Sequence, residues 1–186
     1  MHANPLKTTS VRFLGPVDLD GIGDDIRAIP QEVWEHENAT KPNRYGVLDK
    51  TQHIVFRFIS SVDDWRQHYD LPLWSQWRDR LEPLMRQATQ PYGYREGKFS
   101  RVLLAKMPAG GLIHPHVDSN AAARWPHKIH VPITTNDQVS FYIEKTPYHL
   151  EVGQAYEVNN LGEHAVANLG TTPRIHLIFE YYTDED

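Results

Sequence analysis

Along the first half of this chain apolar residues recur in places at helical spacing and in places alternate, whereas the second half reads as short strands and turns. Residues 11–14 predict a short strand, and the acidic, amphipathic run 18–29 predicts a short helix stopped by Pro30. Across residues 51–59, Ile54, Phe56 and Phe58 alternate with Val55 and Arg57, the pattern of a strand. Leu73, Trp74, Trp77, Leu81, Leu84 and Met85 then share one helical face, with Asp70 at the expected N-cap and Pro72 in the first turn. Pro83 interrupts that face and should kink or split a helix expected to end near Pro91.

From Phe99 onward, short strands are predicted at 100–107, 112–116, 127–133, 139–144, 148–151, 154–159, 164–168 and 174–182. Breaks fall between them at 108–111, 135–137, 146–147, 153, 162 and 170–173, mostly at Gly or Pro. Strands so spaced predict a mainly β fold: a double-stranded β-helix, or cupin-like jelly roll, with N-terminal helices packed on one sheet. The expected organisation is one domain over 1–186, with a helix-and-strand support region at 1–98 and the jelly-roll core at 99–182.

Composition narrows the chemistry. With no cysteine in the chain, disulfides and thiolate metal sites are excluded, and any metal must sit on His, Asp or Glu. A formal charge of −5 offers no electrostatic footprint for nucleic acid or an anionic membrane. No apolar run reaches membrane-spanning length, and Met1-His2-Ala3-Asn4-Pro5 does not open a signal peptide, so a cytoplasmic protein is expected.

Eleven histidines supply ligands freely. The pattern His-x-Asp/Glu occurs three times, so context has to choose among the copies. In His68-Tyr69-Asp70 the acid is expected to cap a helix, and after His149-Leu150-Glu151 little chain remains to close a barrel. His116-Val117-Asp118 instead ends a strand, His164 opens a later one, and Arg174 opens the last. Two imidazoles and one carboxylate are the set that holds non-haem Fe(II) on one face and leaves the opposite positions open. Arg174, ten residues beyond His164, would hold the far carboxylate of a dicarboxylic co-substrate bound to that metal. The combination points to O2 activation at iron with 2-oxoglutarate as electron donor.

The stretch Met107-Pro108-Ala109-Gly110-Gly111-Leu112-Ile113-His114-Pro115-His116-Val117-Asp118 resembles the aspartyl/asparaginyl β-hydroxylase family of Fe(II)/2-oxoglutarate oxygenases, which includes bacterial proline hydroxylases. Matching blocks follow at 128–133, 163–168 and 173–178, with a weaker echo at 43–58. The resemblance implies that His116, Asp118 and His164 are the iron ligands and that Arg174 pairs with the distal carboxylate of 2-oxoglutarate. It also implies that His130 contacts the carboxylate beside the keto group. Lys128 stands where members often carry arginine, and keeps the charge without the bidentate fork. Ala105 stands about where some members place a serine near the co-substrate, so that contact is expected to be missing. The implied reaction couples loss of CO2 from 2-oxoglutarate, leaving succinate, to hydroxylation of an unactivated C–H bond.

The substrate is less legible. Arg57 and Arg95 are candidates for holding a substrate carboxylate, or are surface charges. Asn120, Arg124 and Trp125 follow the metal motif and would border the mouth of a jelly roll, where Trp125 equally suits packing. The expected substrate is a free amino acid or an amino-acid residue, so a small molecule or a peptide. Two other readings stay open: a cupin-type dioxygenase or isomerase that does without 2-oxoglutarate, and a non-enzymatic jelly-roll binding module. Arg174 speaks against the first, whose chemistry has no use for a distal carboxylate clamp.

Overall fold

A computed structural model describes residues 4–184; residues 1–3, on which the reading of the N-terminus partly rests, and residues 185–186 lie outside it. In chain order the first elements are β1 (Val11–Pro16), α1 (Ile22–Arg27), α2 (Gln31–Thr40), β2 (Gln52–Ile59), β3 (His68–Asp70) and α3 (Trp74–Thr89). Then come β4 (Lys98–Met107), β5 (Leu112–His116), β6 (His127–Thr134) and β7 (Val139–Ile143). The last four are β8 (Thr146–Tyr148), β9 (Gln154–Val158), β10 (His164–Asn168) and β11 (Arg174–Tyr182).

A seven-stranded antiparallel sheet runs β1-β9-β6-β11-β4-β2-β3, and a four-stranded sheet runs β5-β10-β7-β8. From β4 on, each strand crosses to the other sheet except within the β7–β8 hairpin, which is the winding of a jelly roll. All eight strands expected after Phe99 form, four in each sheet, and β1, β2 and β3 widen the larger one. No helix is long and apolar enough to cross a membrane among the described residues.

The two-residue period of β11 separates core from site. Ile175, Leu177, Phe179 and Tyr181 point outward and pack with Trp34, Trp74, Leu81 and Met85 of the helices. Arg174, Ile178 and Glu180 lie on the opposite face and line an interior cavity. The helices thus cover the outer face of the large sheet, as the apolar patterning predicts. Each large side chain so buried contributes about 1.5–3 kcal/mol.

Four local expectations need correction, and one helix was not foreseen. Asp70 does not cap a helix: it ends β3, and its carboxylate takes hydrogen bonds from Arg57 Nε at 2.5 Å and Nη2 at 3.1 Å. α3 begins only at Trp74, so Pro72 precedes it, and no side chain caps its N-terminus. Pro83 does not split α3, which runs unbroken to Thr89, because Pro83 and the Asp79 carbonyl it leaves without an N–H partner are on the solvent face. α2 has no strong apolar stripe, only Trp34 being buried in it, so the pattern did not announce it. Finally, β8 starts earlier than expected. Glu144 and Lys145 have φ of 47° and 72° and form the two-residue turn between paired Ile143 and Thr146, without the Gly or Asn that marks such turns.

Candidate metal and co-substrate site

The register of the small sheet brings two imidazoles together. His164 on β10 pairs directly with His116 at the end of β5, and their ring centroids are 4.2 Å apart. Asp118, just beyond β5, is anchored by its backbone amide, which donates to Asn160 O at 3.0 Å. Ligating atoms of His116, Asp118 and His164 all lie within 4.8 Å of one another, so one ion can reach all three.

Hydrogen bonds set the donor atoms. His116 Nδ1 lies 2.8 Å from His114 O and His164 Nδ1 lies 3.0 Å from Gly162 O. Each Nδ1 must carry the proton it donates, which leaves both Nε2 lone pairs for a cation. Burial, then the Lys128 charge, pushes the His164 imidazole down to about 4, so the ring is neutral. Burial would raise Asp118, but the Lys128 charge and hydrogen bonds from Lys128 and Asn160 hold it well below the usual carboxylate range. Two imidazoles and an ionised carboxylate, with no thiolate, fit Fe(II) in the facial arrangement.

A cavity of about 310 Å³ opens from this triad between the two sheets. Arg174 lies in its wall with only 1% of its surface exposed. Among the described residues no carboxylate offsets its charge, and burial alone pulls its pKa down to about 9. Nη2 donates to His176 Nδ1 at 2.7 Å, while Nε has no partner. His130 Nδ1 is 3.3 Å from His176 Nδ1, and the Nε2 atoms of both rings also lack partners. Unpaired buried polar atoms around a buried cation fit a bound polyanion such as 2-oxoglutarate. Ala105, in the same wall, offers only a methyl group.

The structure therefore brings His116, Asp118, His164, His130, Lys128 and Arg174 to one cavity. Lys128, expected toward the co-substrate, places its ammonium 2.6 Å from Asp118 Oδ2 instead. Of the five substrate candidates only Asn120 lines the cavity, and its side chain accepts from Ala123 N at 2.9 Å. Arg57 is held by Asp70 and lies over the Trp74 ring, away from the cavity. Trp125 stacks on Trp65 with centroids 5.7 Å apart, and Arg95 and Arg124 are exposed outside the cavity wall.

The sequence reading passed over Arg101 and Glu180, which face each other across β4 and β11 in the cavity wall. A signal was present: Glu180 lies an even number of residues from Arg174, and Arg101 the same from Ala105, so each shares the inward face. Asn160, in a loop, carried no such signal.

The family model described as aspartyl/asparaginyl beta-hydroxylase matches residues 25–183. A search of curated proteins returned no match. Among solved structures, the chain is similar to an oxidoreductase of the 2OG-Fe(II) oxygenase family from Burkholderia pseudomallei, with TM-score 0.54 and 15% identity. That match covers 71% of this chain and 66% of the other. It is also similar to the viral collagen prolyl hydroxylase from Paramecium Bursaria Chlorella virus-1 in complex with 2OG, with TM-score 0.57, 11% identity, and 92% and 95% of the two chains covered. A third is HygX from Streptomyces hygroscopicus with nickel, 2-oxoglutarate and hygromycin B bound, with TM-score 0.53, 13% identity, and 95% and 84% covered. At these identities the likenesses establish the jelly-roll fold, and the family match spans most of the sequence. The chain belongs to the aspartyl/asparaginyl β-hydroxylase family of Fe(II)/2-oxoglutarate-dependent oxygenases.

Proposed function

We propose that this chain hydroxylates a C–H bond of a free amino acid or an amino-acid residue, with His116, Asp118 and His164 holding Fe(II) and Arg174 holding the distal carboxylate of 2-oxoglutarate. The observation that carries the reading is Arg174, a guanidinium buried without a counter-charge in the cavity that the triad opens into. A jelly-roll enzyme that dispensed with a dicarboxylate would gain nothing from that buried charge.

With metal and co-substrate bound, the chemistry supplied is oxidative decarboxylation: one atom of O2 enters succinate as CO2 leaves, and the other enters the substrate as hydroxyl. The chain's own residues orient and exclude. The His114 and Gly162 carbonyls fix the ligand imidazoles in one tautomer and one plane. Lys128 and Asn160 keep Asp118 ionised on the metal side of the cavity. Arg174 and His130 set the direction in which the co-substrate lies, and Phe141, Ile113 and Val166 keep the walls apolar. The proposal places the protein where Fe(II) and 2-oxoglutarate are both supplied, in the cytoplasm.

The test is succinate formation from 2-oxoglutarate with added Fe(II) and ascorbate. The wild type should consume the co-substrate, and Arg174→Ala should do so only at a far higher concentration. Equal consumption by the two would remove Arg174 from the co-substrate site.

A further inference from the structure

Arg101 is the second guanidinium of the cavity, and the reading above gives it no task. It alternates with Val102 on β4 and shares the inward face with Leu103 and Ala105. Its register partner Glu180 accepts a hydrogen bond from Arg101 Nη1, and the other carboxylate oxygen accepts from Ser100 Oγ at 3.2 Å. The Phe58 ring lies against the guanidinium, its centroid 5.4 Å from Cζ. Both charged side chains are nearly buried, 11% and 4% exposed, so the guanidinium is held in place from two sides.

Position relative to the metal is set by register. Glu180 pairs across β11 and β6 with Lys128, whose ammonium rests on Asp118. One row thus runs from Arg101 through Glu180 and Lys128 to the metal ligand, with the outer two backbones about 10 Å apart. Arg174 is at the opposite end of the same strand face, about 20 Å of β11 away from Glu180. A dicarboxylate reaching from the metal to Arg174 fills that side, so a C–H bond must approach from the other. Arg101 is the buried cation there. Among the described residues only its Nη1 is engaged, which leaves N–H groups for a second carboxylate. Arg101 and Lys128 each rest on a single carboxylate, Glu180 and Asp118.

Building on the hydroxylase reading, we propose that Arg101 receives the α-carboxylate of the substrate, with Glu180 as the positioning residue that fixes it. The substrate is then a free amino acid, and not a residue inside a peptide, which has no carboxylate there to offer.

The experiment uses two readouts on one panel: the protein L-amino acids, their α-carboxamides, N-acetyl dipeptides with a free C-terminus, and the same dipeptides capped as amides. Nickel-loaded protein with 2-oxoglutarate is titrated with each in a calorimeter, and the Fe(II) protein is assayed for succinate and for a product one oxygen atom heavier. Free acids should bind and turn over, with the carboxamides about 100-fold poorer in kcat/KM. The double variant Arg101→Gln/Glu180→Gln removes both charges together, so neither is stranded in the interior. It should melt near the wild type yet raise the KM for the acid about 100-fold, while Arg101→Lys recovers part of the loss.

Carboxamides or capped dipeptides used as well as acids, or an unmoved KM in the double variant, would overturn the assignment. Turnover confined to dipeptides with a free C-terminus supports the carboxylate site and moves its source to a peptide end. Failure of the hydroxylase reading looks different: no succinate with any member of the panel, while calorimetric binding of the acids still depends on Arg101. Absence of calorimetric binding by every acid overturns the site itself.

Discussion

The Lys128 ammonium and the Asn160 amide converge on one oxygen of Asp118, Oδ2, at 2.6 and 3.2 Å. Neither donates to Oδ1, which stays available to a metal. Lys128 therefore acts on the ligand before it acts on anything the metal carries.

Lys128→Ala should weaken Fe(II) binding by about 10- to 100-fold, the usual effect of losing a partner of a metal ligand. Anaerobic titration of the metal-free protein with Fe(II) measures it, and Lys128→Arg should restore most of the affinity. An unchanged metal affinity with a raised 2-oxoglutarate requirement would instead put Lys128 on the co-substrate.

Arg174 should trade stability for binding. Replacing a buried, uncompensated cation by a similar apolar volume, Arg174→Met, should stabilise the metal-free protein by about 1–4 kcal/mol. Metal and 2-oxoglutarate together should raise the melting temperature of the wild type and leave that of the variant unmoved. A variant less stable than wild type would mean that Arg174 is structurally compensated.

Acid should destabilise the fold. His53 is pushed down to about 3 by burial and then by the Lys41 charge, and His176 lies well below its ordinary value for the same first reason. In the unfolded chain both take up a proton near pH 6.5, while in the folded protein they remain neutral. The unfolded state then binds more protons, so stability is complete above about pH 6.5 and falls as pH drops toward 4. Each such histidine contributes a slope of roughly 1.4 kcal/mol per pH unit. Chemical denaturation of the metal-free protein at pH 7.5, 5.5 and 4.5 checks the sign; a flat profile would show these rings to be protonated in place.

Arg57→Ala should cost about 1 kcal/mol of stability by releasing Asp70 at the sheet edge, and should leave the KM for any substrate as it is. A selective KM effect would return Arg57 to the substrate site.

The parts of this protein that were legible are those in which local pattern and tertiary placement agree. β5, β10 and β11 begin and end where the alternation and the Gly and Pro breaks put them, and those three strands carry His116, His164 and Arg174. What stayed hidden depends on pairing between distant segments. Asp70 has the composition of a helix cap, but Arg57 across the β2–β3 pair takes its carboxylate. The Glu144-Lys145 turn carries no Gly or Asn to mark it. Arg101 sat on a correctly placed strand and at even spacing from Ala105, yet only the β4–β11 register shows that it faces Glu180. Substrate contacts were therefore sought in the loop after the metal motif, where Trp125 turns out to pack on Trp65.

The central place of β11 in the large sheet bears on how the molecule comes together. β4 and β6, the strands it joins, pair only through it, so without β11, the last strand among the described residues, the sheet would be two separate halves. That strand also brings Arg174. A chain lacking it would expose two open strand edges and would remove Arg174 from the cavity wall, so closure of the large sheet and completion of that wall depend on the same strand.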